Sequence, residues 1–167
     1  NPSGHILAVG LASNEIVVCD AETSSNRYYY TEHQSTPISL SFSNNGHYLA
    51  SGDKINHLIV RHLLERRIVY ESNFNSKLLE VLFSPTETET LLILDSNRIT
   101  LLNIFTGETK FIDGDFISVC WHTNDNRIFA AATKELVTFD SDFNVLSTFQ
   151  PEVKKNFIKI ETTSFDH

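Results

Sequence analysis

TPISLSFSNNGHYLASGDKINHLIVRHLLERRIVYES, Thr36 to Ser72, is the stretch from which the fold is read. It holds four short apolar runs, at 38–42, 47–51, 57–63 and 67–70. Polar or glycine-bearing turns separate them at 43–46, 52–56 and 64–66. Runs this short, rich in Ile, Val, Leu, Phe and Tyr and closed by Asn45-Gly46 or Ser51-Gly52, predict strands of an up-and-down antiparallel sheet.

The pattern continues on both sides. Upstream, strands are expected at 5–9, 15–19 and 27–30, with a polar loop over 20–26. Downstream, one set falls at 77–83, 90–94, 98–104 and 109–112, and another at 116–121, 127–132, 135–139 and 144–149. Phe42-Ser43, Phe83-Ser84 and Trp121-His122 each close a first strand, about 41 and then about 38 residues apart. Cys19-Asp20, Arg61-His62, Leu102-Asn103 and Phe139-Asp140 close third strands at intervals of roughly 37 to 42. A four-stranded unit of about 40–45 residues has the length of a propeller blade. Strands such as Leu91-Leu92-Ile93-Leu94 lack polar alternation, which suits a sheet covered on both faces.

The units resemble WD repeats, in which the first strand ends in Phe/Trp-Ser and the third in Trp-Asp. The residues that carry the resemblance are Leu7-Ala8-Val9-Gly10, Phe42-Ser43-Asn44-Asn45-Gly46, Leu49-Ala50-Ser51-Gly52, Phe83-Ser84-Pro85 and Phe139-Asp140. No unit has a literal Trp-Asp pair, and only Glu32-His33 echoes the family's Gly-His, so its Asp-His-Ser/Thr-Trp hydrogen-bond network is expected to be mostly absent. The fold class is therefore all-β, a β-propeller of four-stranded antiparallel blades. Residues 5–30 form a partial blade, 36–72, 77–112 and 116–149 three full blades, and 157–167 the opening strand of a further one. Such propellers usually close with seven blades. The remaining blades are thus expected from further chain, as the absence of Met and the opening at Asn1-Pro2-Ser3-Gly4 also suggest, with a partner as the alternative source.

Composition narrows the function. A net charge of -8 argues against a duplex nucleic-acid footprint, which needs clustered Lys and Arg. Cys19 and Cys120 both fall in apolar runs and read as reduced, buried thiols of an intracellular protein, nuclear or cytoplasmic. No apolar run has the roughly 18 residues that a membrane-spanning helix needs.

Catalytic and metal signatures are missing. The seven histidines show no His-Glu-X-X-His spacing, and no Cys-X-X-Cys is present. His57 and His62 lie an odd number apart on one strand and point to opposite faces. Asp113-Gly114-Asp115 and Asp140-Ser141-Asp142 read as turns without the rest of a calcium loop. Neither a Gly-X-Ser-X-Gly elbow nor a glycine-rich phosphate loop occurs. No enzyme, cofactor or metal is expected.

The resemblance implies a non-catalytic protein-interaction scaffold, a subunit of an intracellular multiprotein complex. Its partners would be other protein subunits or peptides, docking where fourth strands lead to first and second strands to third. Candidate contact residues there are His33, Gln34, Asn56, Asn75, Asn97, Asp113, Asp115 and Lys134. Tyr29, within Tyr28-Tyr29-Tyr30 on the rim, is a further candidate aromatic anchor. The alternative is a phosphoinositide- or nucleic-acid-associated propeller using a local basic patch of Arg61, Arg66 and Arg67. Arg66-Arg67 shares two residues with the Phe-Arg-Arg-Gly motif of phosphoinositide-binding propellers, but its flanks, Glu65 and Ile68, differ; Lys154-Lys155 reads as a solvated pair.

Overall fold

The computed structural model describes residues 1–151 and 157–161. It contains β1 (Ile6–Gly10), β2 (Ile16–Asp20), β3 (Tyr28–Tyr30), β4 (Pro37–Phe42), β5 (Tyr48–Asp53), β6 (His57–His62), β7 (Arg67–Asn73) and β8 (Leu78–Phe83). These are followed by β9 (Thr90–Asp95), β10 (Arg98–Asn103), β11 (Thr109–Asp113), β12 (Phe116–Trp121), β13 (Ile128–Ala132), β14 (Leu136–Phe139) and β15 (Val145–Phe149). All pairing is antiparallel between sequence neighbours. The result is one three-stranded sheet, β1-β2-β3, and three four-stranded sheets, β4 to β7, β8 to β11 and β12 to β15. No described helix is long and apolar enough to cross a membrane.

Burial grades from the inner strands outward, as a fan of stacked blades requires. In the third blade β9 and β10 are buried on both faces, whereas β11 is mostly exposed and β15 of the fourth blade wholly so. The cores lie between sheets. Leu78, Val81 and Phe83 of one blade pack on Ala50, Leu58 and Val60 of the blade before it. Trp121, Ile128 and Phe139 pack likewise on Leu92, Leu94 and Ile99.

Two repeated devices set the blade geometry. The first is a bulge at the same place in three blades, between Pro37 and Ser39, Leu78 and Glu80, and Phe116 and Ser118. An extra residue there tightens the local twist where the inner strands crowd together. The second device is side-chain capture of the neighbouring inner strand. Ser39 and Ser41 accept the Val81 and Phe83 N–H groups at 2.9 Å, and the Trp121 indole donates to the Leu82 carbonyl at 3.1 Å. Glu80 accepts from the Ser118 hydroxyl and the Val119 N–H. Each inner strand thus gives its buried polar edge a partner in the next.

In the first sheet β1 holds the register of a second strand. Leu7 pairs with Cys19 as Leu49 pairs with Arg61, and Gly10 abuts Pro37 as Gly52 abuts Leu78. Its strands therefore correspond to the second, third and fourth of the other blades. Phe157–161 differs from the sequence expectation of an opening strand. Those residues form none, although the Phe157 N–H reaches the Thr133 carbonyl at 3.3 Å; residues 162–167 lie outside those described.

Candidate functional site

One end of the blade stack is built from the β3–β4, β7–β8 and β11–β12 loops together with the β1–β2, β5–β6, β9–β10 and β13–β14 turns. An aspartate that ends a strand holds two of these turns. The Asp53 Oδ1 accepts the N–H groups of Ile55 and His57, and the Asp95 Oδ1 those of Asn97 and Arg98. The asparagine that follows ties turn to loop. Asn14 donates to the Gln34 carbonyl at 3.2 Å, and Asn97 to the Ser76 hydroxyl at 2.8 Å. The Asn56 Oδ1 accepts the Leu78 N–H at 3.0 Å, and its carbonyl accepts the Phe74 N–H. Asn14 and Asn56 adopt positive φ, of 73° and 71°, which asparagine tolerates better than most residues. The surface is therefore pre-ordered by bonds between adjacent segments.

The residues proposed from sequence separate into two groups. Gln34, Asn75, Asn97, Asp113, Asp115 and Lys134 are exposed on this end, and Asn56 is half-buried. Asp113 is engaged by Arg98 at 3.1 Å. Tyr29 is exposed on the open face of the first sheet with Leu7 and Val9, one residue in from the Ile16–Tyr30 pair that borders this end. His33 does not fit the expectation of a contact residue: it is buried, with both ring nitrogens engaged inside the second blade. Its Nδ1 lies 3.0 Å from Asp53 Oδ2 and its Nε2 2.8 Å from Ser51 Oγ. Three members of the network expected to be mostly absent are therefore present in this blade. Burial holds the His33 pKa below that of a free histidine, against the pull of Asp53.

Arg61 stands where the resemblance implies tryptophan, and it is no surface cation. Its side chain is 1% exposed, paired to both Glu32 oxygens at 3.0 and 3.2 Å and stacked 4.0 Å from the Tyr30 ring centroid. Its Nε finds no hydrogen-bond partner among the described residues. Burial raises the Glu32 pKa, but the Arg61 bond and neighbouring N–H groups outweigh it and hold the carboxyl below its ordinary value. Arg66 lies over the Tyr28 ring and Arg67 pairs with Glu65. Arg61 and Arg66 of the second blade thus reach back to Tyr30, Glu32 and Tyr28 of the preceding segment, and only Arg67 is engaged within its own turn. Lys154-Lys155 falls outside the described residues.

Sequence spacing did not reveal that His33, Asp53 and His57, from a loop and two strands, converge with potential ligand atoms within 4.8 Å of one another. The signal available was Asp53 itself, an acidic residue ending an apolar strand just before a turn. Along the inner strands runs a groove of about 630 Å³, lined in part by Leu40, Glu80, Leu82 and Trp121. Its lining includes Glu80 and Trp121, bonded between strands, and Lys159 and Glu161, paired with each other.

These features define an arc of a β-propeller, the fold that the WD-repeat resemblance of the sequence implied. The β-propeller domain of Myceliophteria thermophila Cps50 (Swd1) superposes with a TM-score of 0.85 at 18% identity, over 98% of this chain and 56% of that one. A chain in the crystal structure of the Mitotic Checkpoint Complex gives 0.77 at 18% identity, over 93% and 52%. By sequence, the chain is 27% identical to the Retinoblastoma-binding protein 5 homolog of Drosophila melanogaster, over 90% of this chain and 32% of that protein. It therefore spans about a third of the curated relative it matches and just over half of each solved chain. No family model matches the sequence.

Proposed function

We propose that this chain is part of a non-catalytic scaffold that holds other protein subunits within an intracellular complex, nuclear or cytoplasmic. The carrying observation is the pre-ordered end of the blades, where Asn14, Asn56 and Asn97 bind adjacent segments together. A rigid surface of this kind loses little conformational entropy on docking, so modest contacts yield useful affinity. Gln34, Asn75, Asn97, Asp113, Asp115 and Lys134 supply its polar contact groups. The names of the relatives, a retinoblastoma-binding protein and a member of a checkpoint complex, support a protein as the partner class. Buried Cys19 and Cys120 agree with a reducing compartment.

Leu7, Val9 and Tyr29, respectively 48%, 39% and 54% exposed, share the face of the first sheet turned away from the second blade. An apolar sheet face of that kind supports the reading that further blades cover it.

The test is affinity purification of the full-length protein, followed by mass spectrometry of its companions. The wild type is compared with a double charge reversal, Asp113→Lys with Asp115→Lys. Specific companions that disappear from the variant support docking at this end. Companions unaffected by the reversal, or no companion at any salt concentration, argue against it. Binding to anionic vesicles or RNA that falls steeply with salt would instead favour the basic-patch reading.

A further inference from the structure

The geometry points to a binding site for a zinc-class divalent cation formed by His33 Nδ1, Asp53 Oδ2 and a His57 ring nitrogen. The three side chains come from the β3–β4 loop, the end of β5 and the start of β6, and their ligand atoms lie within 4.8 Å of one another. Tetrahedral zinc with bonds of about 2.0–2.2 Å holds neighbouring ligand atoms roughly 3.3–3.6 Å apart. His33 Nδ1 and Asp53 Oδ2 are 3.0 Å apart, so a small widening admits the ion between them.

The surrounding bonds already form an outer shell for it. His57 Nε2 lies 2.8 Å from Glu71 Oε1; donating there, it leaves the Nδ1 lone pair to ligate. Asp53 Oδ1 is used by the Ile55 and His57 N–H groups, which leaves Oδ2 for the ion. His33 Nε2 is 2.8 Å from Ser51 Oγ, and that oxygen is also 3.2 Å from the Ile59 carbonyl.

Two proton arrangements are therefore complete. Without an ion, the His33 Nδ1–H donates to Asp53 and the Ser51 hydroxyl to Nε2. With an ion on Nδ1, the ring proton sits on Nε2 and donates to Ser51 Oγ, whose own proton turns to the Ile59 carbonyl. Ligating imidazoles commonly hold their second nitrogen in this way, against a carboxylate, a carbonyl or another polar oxygen.

Charge and donor type agree. Asp53 and Glu71 bring two negative charges, while the nearby Arg61 is balanced by Glu32. Two imidazoles and one carboxylate suit zinc better than calcium or magnesium, which prefer oxygen. The His57 side chain, 12% exposed, marks the side from which an ion enters.

The chain is stripped with a chelator and titrated with Zn²⁺ by calorimetry, and with Co²⁺ for its ligand-field absorption. One Zn²⁺ per chain and a tetrahedral Co²⁺ spectrum, with water as the fourth ligand, are expected. His57→Ala should lower affinity at least tenfold, and Glu71→Gln about tenfold as an outer-shell change. His62→Ala should change nothing, since His62 sits beside His47 in a separate ring pair. His57 takes no part in the His33–Ser51 bond, and circular dichroism checks that its variant folds; if it does not, Glu71→Gln carries the same comparison. No saturable Zn²⁺ binding, binding indifferent to the His57 and Glu71 changes, or binding lost in His62→Ala would overturn the site.

Discussion

Gly52→Ala is the substitution that best tests how the blades meet. Gly52 has no positive φ, so an alanine is conformationally allowed and would by itself stabilise by about 0.4–1 kcal/mol through the unfolded chain. The space is not available. A Cβ at this position lies 2.3 Å from Leu78 Cδ2 and 3.6 Å from Val81 Cγ1, where ordinary carbon contacts are about 3.5–4.0 Å. Leu78 is fully buried in the inter-blade core with Leu58, Val81 and Ile93, so its methyl has no open side to move into. Overpacking of this kind costs about 1–3 kcal/mol. The net expectation is a loss of about 1–2 kcal/mol, or about 2–8 °C in Tm for a chain of this size. Urea unfolding monitored by circular dichroism measures it, with an unchanged slope showing that stability alone has moved. A double-mutant cycle locates the cause. Leu78→Ala alone should cost about 2–5 kcal/mol, and with Gly52→Ala the combined loss should fall short of the sum by at least about 1 kcal/mol. A neutral or stabilising Gly52→Ala, or two losses that simply add, would refute the close blade contact.

Two further outcomes follow from the same blade. The His33 pKa is held below its unfolded value of about 6.5. The unfolded chain therefore binds more protons below that pH. Stability should be complete at pH 7 and fall as pH drops through about 6.5, by at most about 1.4 kcal/mol per unit, with His33→Gln flattening the profile. Thermal melts from pH 7.5 to 5 check this, and a wild-type profile flat over that range would count against a buried neutral His33. At Asn56, alanine loses the bond to the Leu78 N–H and keeps the positive φ, for about 1.5–3 kcal/mol in all. Asn56→Gly should cost measurably less, and equal losses for the two variants would show that backbone strain contributes nothing.

The strand rhythm, the blade length and the up-and-down pairing were all legible in the sequence. Turn residues such as Asn45-Gly46 and the doubly apolar runs of β9 and β10 report local backbone preference and burial, which a linear reading can detect. The asymmetry of Tyr28-Tyr29-Tyr30 was not legible. Alternation alone allows Tyr28 and Tyr30 to be buried together, yet only Tyr30 is, because the second blade covers just that end of the strand. The bulges at Pro37/Ser39, Leu78/Glu80 and Phe116/Ser118 were likewise hidden, since an extra residue shows only against its partner strand.

The candidate site divides the same way. Which residues lie on turns and loops could be read from the chain. Whether they face solvent could not, and His33 is the case in point: a loop histidine by sequence, it is buried by the meeting of its loop with Ser51 and Asp53 from a strand about 20 residues on. Arg61 carries a full charge and looked like surface, but Glu32 and Tyr30 from the preceding segment enclose it. Local propensity and pattern determine that this chain makes blades. Packing between blades, a long-range property, decides which polar side chains are withdrawn into the structure and which are left to meet a partner.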